Sequence, residues 1–576
     1  MRLKFFPQIK ICFQKPDFKV KYHYQNRGEK MQDLHEILKQ KIDVLEKKNL
    51  GLQKEISKDF VNQFVKNFKL PATLTDLIVT YLSIKPSTPV VWLSLSECTG
   101  CTESFLRSEI FKIEDLLLDV ISLDYHDVLM ADSGFAAKSD LESALSKDFL
   151  LVVEGGVCVG EELFATFGAN AISAKKELEH IAHHAKMVFG VGTCAAYGGV
   201  QAAAPNPSGV KGITELLKDN FINIPGCPPS DVNIIMNLMY VILFDRAPEL
   251  DSLKRPIWAY GKTVHDSCER KAKFESGDFV DSFSDERMKD GYCLYKVGCK
   301  GPHAYNNCGK VKFNSKTSWP IQAGHGCIAC SEPDFWDNFG VYEEPLKNQF
   351  AHFVKPQRQF DRIQTIEDRA EFLKTLDQDS IGIFLDTTNS EIIYQGRNIL
   401  KTSFEVNSKL ILDALAKKSK LTGRLVENYQ TQFQEAYSKN MNQNDDSQIS
   451  TNLVDVFKIA HDLLYDQKSD SPHKDVINEA SEFKFPQISD MDFSAKVSDS
   501  EISIDVTKGL RLILCYKLGG LENNGVTYGV VATLCKAIRM GVTKFINDNH
   551  LSSDTKIFLG GNLSQNHLIQ GWVLRD

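Results

Sequence analysis

Ten of the 14 cysteines in this 576-residue chain fall into three groups, set in turns rich in glycine and proline. The first is Cys98, Cys101, Cys194 and Cys227. The second is Cys268, Cys293 and Cys299, with His265 three residues ahead of Cys268. The third is Cys308, Cys327 and Cys330. Cys12, Cys158, Cys515 and Cys535 stand apart and read as ordinary thiols. No apolar run reaches the ~18 residues that span a bilayer, and the N-terminus lacks a secretory apolar core and a twin-arginine pair. The expected location is therefore cytoplasmic, free or held at a membrane through a partner. In that reducing compartment, clustered cysteines are metal ligands or catalytic groups rather than disulfides.

The surrounding pattern says where these groups sit. Residues 1–85 read as a helical N-terminal extension, with Leu34, Leu38 and Ile42 and then Ile56, Phe60, Phe64 and Phe68 on four-residue steps. Between 86 and 250 the apolar runs Pro89–Leu95, Val120–Leu123, Phe149–Val153 and Met187–Val191 read as buried parallel strands alternating with helices, a doubly wound α/β sheet. The apolar run Ile234–Phe244 reads as a buried helix. Between 251 and 345 strand and helix signals fade, and cysteine, glycine and aromatic residues take over. Such a segment has little conventional core, so something else must hold it. Residues 346–437 read as a connecting α/β segment (Ile381–Leu385, Glu391–Tyr394), 438–452 as a polar linker, and 453–576 as a further α/β segment. With 43% hydrophobic residues the chain can bury large cores, and a net charge of -8 argues against a nucleic-acid partner.

Four motifs sit at the carboxyl ends of expected strands, where open parallel sheets gather ligands. They are Glu97-Cys98-Thr99-Gly100-Cys101, Glu154-Gly155-Gly156, Gly192-Thr193-Cys194 and Pro225-Gly226-Cys227-Pro228-Pro229. Their four cysteines suffice for one cluster, and the glycines let backbone N–H groups approach the sulfurs. The set of His265 with three cysteines fits iron or structural zinc. The three-cysteine set suits a three-iron cluster or an incomplete four-iron one, since Pro320, in the gap between Cys308 and Cys327, offers no ligand atom.

The order of motifs from about 88 to 345 resembles the small subunit of nickel–iron hydrogenases. The stretches that carry the resemblance are Trp92-Leu93 with Cys98-Thr99-Gly100-Cys101, Gly192-Thr193-Cys194 with Gly198-Gly199, Asn206-Pro207 and Asn223-Ile224-Pro225-Gly226-Cys227-Pro228-Pro229. His265-Asp266-Ser267-Cys268-Glu269-Arg270, Cys299-Lys300-Gly301-Pro302 and Cys327-Ile328-Ala329-Cys330-Ser331-Glu332-Pro333 continue the series. The resemblance implies a flavodoxin-like sheet followed by an irregular domain with two clusters. It implies iron rather than zinc. Cys98, Cys101, Cys194 and Cys227 would hold a proximal 4Fe-4S cluster, and Cys308, Cys327 and Cys330 a medial 3Fe-4S cluster. His265, Cys268, Cys293 and Cys299 would hold a distal 4Fe-4S cluster, with His265 facing outward. Glu97 and Glu154 would lie near the proximal cluster, in a proton-relay or a structural hydrogen-bonding role.

The nickel–iron centre would belong to a large subunit, which in that family has a Cys-x-x-Cys pair near each terminus; the last residues here, Gly571-Trp572-Val573-Leu574-Arg575-Asp576, carry no such pair. The implied activity is that of a hydrogen:acceptor oxidoreductase, active only with that partner. It would pass electrons to an acceptor such as a quinone-linked cytochrome or a ferredoxin. The alternative is an assembly or hydrogen-sensing protein built on a small-subunit body. It draws on a second likeness: from Ile502 onward, Ile502-Ser503-Ile504-Asp505 and Phe558-Leu559-Gly560-Gly561-Asn562 resemble the end of the hydrogenase maturation carbamoyltransferase. That stretch shows no pair of metal-binding histidines.

Overall fold

The computed structural model describes residues 27–109, 112–160, 164–339, 343–345, 366–483, 489–498, 500–552 and 555–574. The first 26 residues of the N-terminal extension and the opening of the 346–437 segment lie outside them. The chain divides into two units, Met1–Pro86 and Ser87–Asp576. In the first, the helices Arg27–Lys48, Lys58–Asn67 and Leu74–Ile84 pack through Leu38, Phe60, Phe64 and Ile78, all buried. The four-residue spacing puts those apolar side chains on one face of each helix.

The second unit opens with five parallel strands: β1 (Thr88–Ser94), β2 (Ile121–His126), β3 (Leu150–Glu154), β4 (Met187–Val191) and β5 (Phe221–Ile224). Their order, β2-β1-β3-β4-β5, is that of a flavodoxin-like doubly wound sheet. Strands β3 and β4 are buried along their whole length because helices cover both faces. The helix Asp231–Phe244 is buried at every position. The Asn237 amide within it is satisfied by the Asn233 carbonyl at 2.7 Å and by the Trp258 indole N–H at 3.0 Å.

From Ile257 to Asn338 the described backbone forms helical turns of three to five residues and isolated β-bridges such as Thr263 to Tyr305 and Phe279 to Cys293. The C-terminal region then packs against this segment. One hydrophobic core runs from Val264 through Tyr295 and Phe335 to Ile381, Phe457, Tyr516 and Val573.

Two expected boundaries differ from what is observed. The stretch 438–452 is not a linker. Asn440 is fully buried, bonded to the Ser408 hydroxyl at 2.9 Å and the Asp462 carbonyl at 2.8 Å, and Ile449–Ser450 pairs with Phe404–Glu405. Its ends are held in the body by the buried Asn440 and Asn452, while 444–449 lies exposed. Nor are 346–437 and 453–576 separate segments, because Ile381–Leu385 pairs in parallel with Ile557–Gly560. Among the described residues no helix is long and apolar enough to cross a membrane.

Candidate metal centres

The turns after β1, β4 and β5 bring Cys98, Cys101, Cys194 and Cys227 together at the carboxyl edge of the sheet. Two backbone features make the cradle. Thr99 takes the left-handed conformation (φ 64°) between the two cysteines of the first turn. Gly192 (φ 92°) leaves room for the Cys101 sulfur, which a Cβ there would meet at 2.5 Å. Burial, followed by the charge of Glu154 and then the other three cysteines, pushes the Cys101 thiol far up. Burial and Cys227 push Cys194 up to about 11 against the opposing pull of Gln201 and the Val200 backbone. Thiols so placed ionise only beside compensating positive charge, which metal ions supply. Cys98 and Cys227 lie exposed at the surface.

The two acidic residues here differ in environment. Glu154 is buried and accepts from the Trp92 indole at 3.0 Å, the Cys101 N–H at 2.9 Å, the Thr102 N–H at 3.2 Å and the Thr102 hydroxyl. That is a structural anchor for the cysteine turn. Glu97 is raised above the usual carboxylate range, first by burial and then by Glu154. Its Oε2 is buried without a hydrogen-bond partner.

His265, Cys268, Cys293 and Cys299 line one pocket together with Arg270, Leu294, Tyr295, Gly301, Pro302 and Ile321. Burial and then Lys271 lower His265 to about 4, so its imidazole is neutral at pH 7 and its lone pair free for a metal. Backbone N–H groups point at the sulfurs: Arg270 to Cys268 at 3.4 Å, and Gly301 and Cys327 to Cys299 at 3.4 and 3.3 Å. Among the described residues no three His, Cys, Asp or Glu side chains converge on a point that would hold a single metal ion. The donors ring a space instead.

Cys308, Cys327 and Cys330 form the third set. Burial raises all three thiols, reinforced by Cys330 at Cys308, by Cys299 and then Cys330 at Cys327, and by Cys227 and Glu332 at Cys330, which is raised to about 11. Pro320 lies on the same loop, between the buried Trp319 and Ile321. This set touches both others. Cys227 lies close enough to raise the Cys330 thiol, and the Thr193 hydroxyl donates to the Cys330 carbonyl while accepting from the Gly226 N–H at 2.9 Å. On the other side the Cys327 N–H reaches the Cys299 sulfur, and the Lys300 N–H reaches the Cys327 carbonyl at 2.6 Å.

A family model for the C-terminal part of the NiFe/NiFeSe hydrogenase small subunit matches residues 260–343, and one for the NADH ubiquinone oxidoreductase 20 Kd subunit matches 98–241. The quinone-reactive Ni/Fe-hydrogenase small chain of Wolinella succinogenes is 45% identical over 303 residues, 86% of its length and 52% of this chain. The chain belongs to the nickel–iron hydrogenase small subunits. The periplasmic [NiFe] hydrogenase small subunit 1 of Nitratidesulfovibrio vulgaris is 45% identical over 268 residues, 83% of its length and 46% of this chain. A reduced, active Ni-Fe-Se hydrogenase structure from Desulfomicrobium baculatum aligns with TM-score 0.43 at 30% identity, covering 45% of this chain and all of that one. Iron–sulfur clusters are thus the expected cofactors of this small subunit, and the thiol-rich, N–H-lined donor sets fit them.

Sequence reasoning missed what holds the donor sets together. Arg255, nearly inaccessible, joins Asp251 at 2.8 Å to Glu332 at 3.0 Å, while Glu332 also accepts from the Tyr305 N–H at 2.6 Å. Glu332 was visible in the Ser331-Glu332-Pro333 motif, but its cationic partner carries no local signal. The Gly560-Gly561 loop lies beside the Asp386–Asn389 turn. There the Asn562 amide donates to the Thr387 hydroxyl at 3.1 Å and accepts from the Thr387 N–H at 3.2 Å.

Proposed function

We propose that this small subunit passes electrons between the nickel–iron site of a large subunit and an external acceptor, during hydrogen oxidation. The observation that carries the reading is the contact of the Cys308–Cys327–Cys330 set with both other sets. It makes three donor groups into one series rather than three isolated sites. In this reading Cys98, Cys101, Cys194 and Cys227 hold a 4Fe-4S cluster, and Cys308, Cys327 and Cys330 a 3Fe-4S cluster. His265, Cys268, Cys293 and Cys299 hold a second 4Fe-4S cluster.

Iron–sulfur clusters supply one-electron carriers whose potentials follow ligand type, hydrogen bonds to sulfur, and burial. The chain's own residues set those levers. Cys98 and Cys227, exposed on the sheet edge, present the first set to the large subunit. The Thr193 hydroxyl links the first set to the middle one, and the Cys327 N–H links the middle set to the last while lowering charge density on the Cys299 sulfur. His265 contributes a neutral ligand where every other donor is anionic, which favours the reduced state of the last set.

Anaerobic purification with a large subunit tests this. It should give about eleven iron atoms per chain and hydrogen-dependent dye reduction. One zinc and no iron per chain would overturn the assignment, and iron without a co-purifying large subunit would overturn the partnership.

A further inference from the structure

The pocket of the His265 set is lined by residues between 265 and 321, but what packs behind that lining comes from well beyond 343, where the family match ends. Phe274 meets the His265 ring edge-on, with centroids 4.6 Å apart. Tyr516, on the C-terminal helix Thr507–Leu518, packs against Phe274 at 5.2 Å and against Tyr295 at 5.8 Å. Tyr295 itself lines the pocket and lies two residues from Cys293. All three rings are buried.

The fit around them is close. A Cβ on Gly519 would meet the Tyr295 ring at 2.5 Å, and one on Gly277 would meet Leu518 at 2.8 Å and Leu425 at 3.3 Å. Polar contacts fix the same face. Arg511 pairs with Glu275 at 3.2 Å, and the Asn428 amide donates to the Ser276 carbonyl at 2.9 Å. Arg424 reaches Asp278 at 3.3 Å.

We propose that Tyr516 is a positioning residue for the His265 donor set: it clamps Phe274 and Tyr295, and through them fixes the imidazole and closes one wall of the pocket to water. The proposal rests on the reading of that set as a cluster site. It gives the C-terminal region a role in the electron-transfer body itself. Buried edge-to-face ring contacts hold ring orientation beyond what area alone does. A neutral imidazole ligand depends on such packing for its direction, as metal-bound histidines depend on the groups around them.

Two measurements on the full-length chain test the clamp. In the iron-free chain, Tyr516→Ala should raise amide hydrogen exchange across 271–297 by roughly tenfold and leave the β4 and β5 turns unchanged, whereas Tyr516→Phe should match wild type. In the loaded heterodimer, Tyr516→Ala should shift the midpoint potential of the His-ligated cluster alone, read by electron paramagnetic resonance, with Tyr516→Phe restoring it. Unaltered exchange and potential in Tyr516→Ala would overturn the proposal. If that variant does not fold, Tyr516→Leu, which keeps apolar volume but removes the ring, replaces it with the same two outcomes. A wild-type chain lacking the His265-set cluster would overturn the cluster reading, and the exchange arm would still decide the clamp.

Discussion

The first and last donor sets are built in opposite ways. Cys98, Cys101, Cys194 and Cys227 hang from turns whose flanking strands are fixed by five-stranded parallel pairing. His265, Cys268, Cys293 and Cys299 hang from turns with no sheet beneath them, and their shape is borrowed from Tyr516, Arg511 and Asn428. A regular sheet makes a local site robust to distant change. A site on irregular turns is only as ordered as what packs on it. The difference should therefore surface whenever the C-terminal region, a turn glycine, the pH or a single anchor is altered.

Removing residues 366–576 should give the largest effect. It exposes Phe274 and Tyr295, now packed against Tyr516, and opens the buried core they share with Leu294 and Val297. Each large apolar side chain returned to water costs about 1.5–3 kcal/mol, so the loss approaches the ~5–15 kcal/mol that holds a domain folded. Proteolysis should cut within 271–299 while the sheet persists, and iron analysis should show the His265 set empty with the sheet-edge set filled. Equal loss at both sets would break the contrast.

Gly192→Ala attacks the other side. Positive φ costs a non-glycine residue ~1–2 kcal/mol, and the new methyl meets the Cys101 sulfur. We expect the sheet-edge set to lose its iron, about four atoms per chain, while the other two sets keep theirs. The readout is iron content together with the spectrum of the remaining clusters.

Acidification should separate the regions more gently. Burial lowers His303 to about 3 and His265 to about 4 on the irregular side, and His126 to about 4 beside the sheet. An unfolded histidine binds its proton near pH 6.5, so these groups oppose unfolding above that value. Their contribution drains as pH falls from about 6.5 toward the native values, at roughly 1.4 kcal/mol per unit per histidine. With two such histidines against one, amides of 264–303 in the iron-free chain should gain exchange at higher pH than those of β1–β4. His303→Gln should narrow the gap.

How much of this was legible in the sequence follows the same division. The strands β1 to β4 and the turns carrying the first set could be read because apolar runs and glycine turns are local signals. Strand β5 could be placed only through the Pro225-Gly226-Cys227 motif at its carboxyl end, not as an apolar run of its own, because Asn223 interrupts it. The three donor groups were legible as groups, and their packing was not. Nothing near Phe274 announces Tyr516, and nothing near Ile381 announces Ile557, because contacts across hundreds of residues leave no periodicity. The polar stretch around Asn440 looked like a linker because composition cannot show that a buried amide has found two partners.

Glu154→Gln should have the smallest effect of the four changes, and it sharpens what sits under the sheet-edge set. The carboxylate accepts from Trp92, from the Cys101 and Thr102 backbone N–H groups and from the Thr102 hydroxyl. A glutamine keeps the shape but turns one acceptor into an NH2 donor facing donors. Leaving such groups unpaired costs ~1–3 kcal/mol, so the melting temperature should fall by a few degrees, with Cys101 iron ligation retained. Hydrogen–deuterium exchange at the large subunit separates the two roles open to this residue. A purely structural anchor predicts exchange lowered no more than the folded fraction. A proton relay predicts a loss of at least tenfold in protein that is fully folded and fully loaded. Four donors around one buried carboxylate favour the first outcome, because a group that must accept and release protons needs an unoccupied lone pair. In this pair of acids, the one with a buried oxygen lacking a partner is Glu97. Glu97→Gln, run alongside, should therefore show the larger fall in exchange and the smaller fall in melting temperature.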